Sequence, residues 1–123
     1  MQTLEQYEPF VINECGVVLN PILVGVQYSK YGFISHAIAV GEIDGLWYAG
    51  YTYEDDNNQG GGASPVCASK YKRIYETPTD ALLAQIASIE RWNLNGRTKL
   101  AKTLEMAKEE IDNYLHPMQL TLF

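Results

Sequence analysis

Residues 33–53, FISHAIAVGEIDGLWYAGYTY, hold two runs of alternating character, 33–43 and 46–53, separated by Asp44-Gly45. An Asp-Gly pair readily supplies the positive φ that a two-residue hairpin turn requires, so the stretch reads as an antiparallel hairpin. Successive side chains of a strand point to opposite faces. Ile34, His36, Ile38 and Val40 therefore share one face of the first arm, and Ser35, Ala37, Ala39 and Gly41 the other. In the second arm Trp47, Ala49, Tyr51 and Tyr53 oppose Leu46, Tyr48, Gly50 and Thr52. The small-residue face of the first arm offers room for a helix lying close to it.

Upstream of the hairpin, β-branched clusters at Val11-Ile12, Val17-Val18-Leu19 and Ile22-Leu23-Val24 are broken by Gly16 and Asn20-Pro21, which predicts strands with a turn between them. Residues 29–32 read as a further turn, and the polar stretch 1–8 as a short helical turn or a loose arm closed by Pro9. Downstream, EDDNNQGGGAS at 54–64 is acidic, then glycine-rich, and is expected to be a mobile loop. Its triple glycine is not read as a phosphate cradle, because no Gly-Lys-Ser/Thr ending or helix start follows and three acids precede it. Residues 65–68 and 72–75 are candidates for a short edge strand whose lysines suit exposure.

Thr77-Pro78-Thr79-Asp80 is a helix start: Thr77 caps, Pro78 fits the first helical position, and Asp80 favours the N-terminal dipole. The helix is expected to run to about residue 93, with Leu82, Ile86 and Ile89 on one stripe, before Asn95-Gly96 stops it. A second helix follows with Leu100, Leu104, Ala107, Ile111 and Leu115 on its apolar face, ended by His116-Pro117. Together these elements predict an α+β fold: an antiparallel β-sheet of three to five strands followed by two α-helices packed on one face. A single domain at 1–117 and a short C-terminal tail at 118–123 are expected.

The composition sets limits on function. At 123 residues and 46% hydrophobic, the chain is sized for one folded domain with its own core. Nine Lys plus Arg against fifteen Asp plus Glu give a net charge of −6, which opposes a phosphate backbone, so direct nucleic-acid binding is not expected. Cys15 and Cys67 are too few and too far apart for a zinc site, and read as reduced, half-buried thiols. No signal-peptide pattern or membrane-length apolar run is present, and the expected location is the cytosol.

The tail poses a physical question. Leu120, Leu122 and Phe123 follow directly on a helix stop, and such side chains either fold back as an edge strand or latch, or enter a partner's pocket. Gln119-Leu120-Thr121-Leu122-Phe123 resembles the sliding-clamp-binding motif of bacterial replication and repair proteins, whose pattern is glutamine, an aliphatic residue, a small or acidic residue, leucine and phenylalanine. The chain departs from the preferred form in having threonine at the middle position. The resemblance implies that Gln119 hydrogen-bonds in a small polar subsite, Leu120 rests on the rim, and Leu122 with Phe123 fills the hydrophobic pocket between clamp domains. Thr121 then sets the backbone path. The eukaryotic form of the peptide needs further aromatic residues beyond the leucine, so a bacterial clamp is the implied partner. The match covers five residues of 123 and carries nothing about the fold of the others.

Elsewhere the search for chemistry finds no catalytic constellation and no metal or cofactor site. His36 alternates with apolar strand residues and reads as a satisfied core histidine, and His116 as a helix-end imidazole. Glu54-Asp55-Asp56 lacks the further spaced ligands a divalent cation needs. Trp47, Tyr48, Tyr51 and Tyr53, with Tyr71 and Tyr75, form a candidate aromatic surface, but only Lys70, Lys72 and Arg73 offer it a basic field, so a protein interface or packing is its expected use. The leading expectation is a non-enzymatic accessory or regulatory protein of the bacterial sliding clamp, in keeping with phage or mobile-element origin. The alternative is a small protein-protein interaction domain that uses the aromatic sheet face and packs the tail on its own core. A modest enzyme or single-strand binder built on the tyrosine-rich hairpin is a third reading.

Overall fold

The computed structural model describes residues 9–54, 60–63, 75–92 and 94–115. Within them the order is β1 (Ile22–Tyr28), β2 (Ile34–Ile43), β3 (Leu46–Glu54), β4 (Gly60–Ala63), α1 (Pro78–Glu90) and α2 (Thr98–Leu115). The strands form one antiparallel sheet in the order β1-β2-β3-β4. The α+β class, the sheet followed by two helices, is as the residue patterns indicate.

The β2–β3 hairpin turns through Asp44 and Gly45, with φ of 52° and 83°, the left-handed pair that the Asp-Gly dipeptide accommodates. Its register sets Ile38 opposite Tyr51 and Val40 opposite Ala49, while β1 adds Ile22 opposite Val40 and Val24 opposite Ile38. Cross-strand partners share a face, so Ile22, Val24, Ile38 and Val40 form one apolar floor. The helices cover that floor with Leu82, Ile86 and Ile89 of α1 and Leu100, Leu104, Ala107 and Ile111 of α2. α2 lies along β1 and reaches β2, and α1 lies over β2 and β3. The helices therefore occupy the branched-residue face of β2, not the small-residue face. The branched face offers far more apolar area to bury, and burial scales with area.

The small-residue face of β2 is covered at one end by the segment before β1. A Cβ on Gly41 would sit 2.8 Å from both Val18 methyl groups, so the missing side chain is what lets Val18 lie on the sheet. Val18, Ile43 and Tyr48 form a second small core there. The strands expected over 11–19 shrink to one isolated bridge, Ile12 with Val18. The reason is local: the Asn13 carboxamide oxygen accepts from the Cys15 and Val17 amides, and Asn20 ties Val11 N–H to the Pro9 carbonyl, so side chains take backbone partners a longer ladder would need. Cys15 is exposed on this turn, not half-buried.

Three further expectations change. The glycines placed in a loop form β4, where a Cβ on Gly60 would collide with the Tyr53 carbonyl; the glycines are what let this strand pair so closely. α1 keeps its Thr77 cap, with the Asp80 amide donating to Oγ1 at 3.1 Å, worth about 1 kcal/mol, but ends at Glu90. Its last turn tightens as Trp92 N–H reaches the Ile89 carbonyl at 2.9 Å, which swings the indole onto Tyr51 and Tyr53, at 5.3 and 5.7 Å between ring centres. On α2 the stripe holds through Ile111, but Leu115 is half exposed. The edge strand expected over 65–68 and 72–75 falls outside the described residues except for Tyr75, whose backbone pairs with Trp47.

Candidate functional site

Residues 29–33 connect β1 to β2 by a turn in which Ser29 N–H donates to the Phe33 carbonyl at 2.7 Å, Gly32 N–H to the Ser29 carbonyl at 3.0 Å, and Tyr31 N–H to Ser29 Oγ at 3.2 Å. The Ser29, Tyr31 and Gly32 amides are thus satisfied within the turn, and its large side chains are left over. Tyr28 is 64% exposed, Tyr31 74% and Phe33 73%, and Ile34 beside them is 41% exposed. Lys30 Nζ stands 5.1 Å from the Tyr31 ring centre, a cation already placed over an aromatic face. Scattered exposed apolar residues need no explanation, but this set is contiguous on one hairpin tip.

What holds the tip in place is the end of β1. The ladder is irregular between Val24 and Tyr28, and Gly25 adopts a φ of +64°. The two free backbone groups of Gly25 point at α2: its N–H donates to a Glu110 carboxylate oxygen at 2.7 Å, and its carbonyl accepts from Thr103 Oγ1 at 2.8 Å. Gln27 Nε2 donates to Thr103 Oγ1 at 2.7 Å and to the Lys99 carbonyl. A strand edge that would otherwise present unpaired groups is sealed by one helix. Burial pushes the Glu110 carboxyl above its ordinary value; the Gly25 N–H bond pulls the other way, and neighbouring Glu109 adds to the rise.

One ladder step inward from Tyr28 and Ile34, His36 forms part of a cavity of about 300 Å³ together with Tyr53, Glu54, Arg97, Thr98 and Lys99. Arg97 lies 5.5 Å from the Tyr53 ring centre. Glu54 and Arg97 share this cavity without forming an ion pair. The imidazole of His36, 2% exposed, meets Ser35 Oγ at 2.8 Å through Nδ1. Ser35 is itself 5% exposed and also bonds the Gln27 carbonyl, so this hydroxyl–imidazole contact anchors the strand and presents no nucleophile at the surface.

Charge on α2 is segregated. Lys99 and Lys102 stand in its first turns, just after Arg97, whereas Glu105, Glu109, Glu110 and Asp112 follow from its middle onward, with Lys108 among them. No acid occupies the first turn and no base the last. The macrodipole favours the reverse arrangement by about 0.3–1 kcal/mol per charge, so helix stability does not account for this order. The Lys108–Glu90 pair ties the two helices together.

The residues singled out from sequence sit elsewhere. Tyr48 is 6% exposed, and Trp47, Tyr51 and Tyr53 are partly buried against the core. Phe10 meets Trp47 edge-on at 5.8 Å. Gln119, Leu120, Thr121, Leu122 and Phe123 lie outside the described residues, as do Cys67, Lys70, Tyr71, Lys72, Arg73 and His116-Pro117. The last described residues before the tail, Tyr114 and Leu115, are 41% and 49% exposed. Sequence reasoning passed over Tyr28, Tyr31 and Phe33, although three large aromatics around a turn, where small polar residues are usual, are a readable signal. Among the described residues no helix is long and apolar enough to cross a membrane. No family model, curated protein or solved structure matches the chain.

Proposed function

We propose that the protein is a non-enzymatic accessory or regulatory factor that docks on the bacterial DNA sliding clamp through Gln119-Leu120-Thr121-Leu122-Phe123. The observation that carries the reading is the peptide itself: glutamine, leucine, leucine and phenylalanine in the order and spacing of the clamp-binding pattern. Two features of the described domain support it: the buried stripe of α2 ends at Ile111, and Tyr114 and Leu115 are at the surface.

In the docked state the leucine and phenylalanine supply apolar burial and Gln119 a directional hydrogen bond, which fixes the register of a short peptide. A few anchors bury little area and must be ordered on docking, so the expected Kd is on the order of micromolar. Occupying the pocket either localises the folded domain to replicating DNA or excludes polymerases and repair enzymes that use the same pocket. The test is a titration against purified bacterial clamp with three chains: intact, lacking 119–123, and carrying Leu122→Ala with Phe123→Ala. Binding by the intact chain alone is expected. Equal binding by all three, or none by the intact chain, rejects the reading.

A further inference from the structure

We infer that the tip formed by Tyr28, Tyr31 and Phe33, with the cations Lys30, Arg97 and Lys99 beside it, binds single-stranded nucleic acid. Sequence-tolerant single-strand binding combines aromatic faces on which bases stack with a cationic track for the backbone. Both parts are present at one end of this domain. The aromatic part is three rings, each at least 64% exposed, on a turn whose own backbone hydrogen bonds are closed. The cationic part begins one ladder step away at the His36 cavity, where Arg97 and Lys99 line an open space. Two residues along a strand span about 7 Å, so a short strand of nucleotides reaches from the stacked rings to the cavity.

The net charge of −6 does not decide this, because the charge is not uniform. α2 carries Lys99 and Lys102 in its cavity-end turns and its acids from Glu105 onward, where Lys108 is paired with Glu90, an order that opposes its own dipole. Asp44 and Asp80 also belong to the far end, at the β2–β3 turn and the start of α1. Among the residues that line the cavity the acid is Glu54, which heads the sequence Glu54-Asp55-Asp56. That carboxylate repels a phosphate entering beside Arg97, so binding is weak and strongly salt-dependent. A protein groove is the competing occupant, but it would have to bring acidic side chains for Arg97 and Lys99 as well as pockets for the rings, whereas a nucleic-acid strand carries phosphates and stacking bases together.

The inference does not depend on the tail, and its test keeps the two apart. Fluorescence anisotropy with a labelled oligothymidylate of about 12 nucleotides, at low salt, uses the full chain. The intact protein is expected to bind, with a slope of log K against log salt of about −2 if three phosphates are engaged. Tyr31→Ala and Phe33→Ala should each weaken binding on the order of tenfold, while Arg97→Gln with Lys99→Gln lowers both affinity and salt slope. Glu54→Gln should tighten it. Leu122→Ala with Phe123→Ala should leave it unchanged. Thermal melting of each variant confirms folding, which is expected because these positions are at or near the surface. An oligonucleotide left free by the folded intact chain overturns the inference. So does binding that the aromatic and cationic substitutions do not alter.

Discussion

Among the described residues the sheet has two hairpin turns, and they are of opposite design. The β2–β3 turn is as short as a hairpin allows: Asp44 and Gly45 reverse the chain, and the next residue on either side already belongs to the ladder. Nothing in it exceeds what chain reversal requires. The β1–β2 turn is longer, closes its own hydrogen bonds, and carries Lys30, Tyr31 and Phe33 into solvent. Folding explains the first turn completely and leaves the aromatic rings of the second without a structural role. Exposed apolar surface that the core does not use is where interaction is to be sought.

The contrast also extends to how each turn is supported. The short turn is held by its own backbone conformation. The long turn is presented by a strand end that α2 grips through Gly25, Gln27, Thr103 and Glu110. The most damaging way to break the arrangement is therefore Gly25→Ala. A Cβ there would collide with the Thr103 carbonyl and sit 3.2 Å from the Ala107 methyl, at a φ of +64°. Left-handed strain plus overpacking predicts a loss of about 3 kcal/mol or more, read by urea denaturation. Gly45→Ala meets only the conformational penalty, since nothing lies within 4 Å, and should cost about 1–2 kcal/mol. Equal losses at the two positions would mean that the α2 grip adds nothing to β1.

Glu110→Gln probes the grip without breaking it, because an amide oxygen still accepts the Gly25 N–H. A carboxyl whose value is raised by folding binds its proton more readily in the native state than in the unfolded one. Its contribution is fully present below the ordinary carboxylate range and is lost as pH rises through the raised value. Stability of the native chain should fall across that window, and the variant should flatten the fall and be at least as stable at neutral pH. A pH profile unchanged by Glu110→Gln would remove Glu110 as its source. The smallest effect belongs to Tyr31→Ser and Phe33→Ser, each expected within about 0.5 kcal/mol of the parent. A loss above 1 kcal/mol at either would give the long turn a structural role and dissolve the contrast between the turns.

How legible this molecule was depended on the range of the interaction. The Asp44-Gly45 turn, the Thr77-Pro78 helix start and the α2 stripe are written in neighbouring residues, and the structure follows them. The helix-bearing face of β2 needed a comparison of area across the whole sheet, which alternation alone does not supply. β4 was hidden because glycine reads as loop until a partner strand is known to approach closely. The early end of α1 comes from Trp92 finding Tyr51 and Tyr53, residues about 40 positions away in sequence. At the candidate site, the aromatics of the long turn were visible as residue types, but their exposure was not. Trp47, Tyr48, Tyr51 and Tyr53 drew attention by number, while packing removed much of their surface.

Competition measures the central claim most directly. A synthetic peptide of residues 118–123 is added to a complex of the intact protein with purified bacterial clamp, and release of the protein is followed. The account predicts full displacement at peptide concentrations in the micromolar range. It also predicts no displacement by the same peptide carrying alanine at Leu122 and Phe123. A complex that persists at saturating peptide would place the contact on another surface of the domain and contradict the claim.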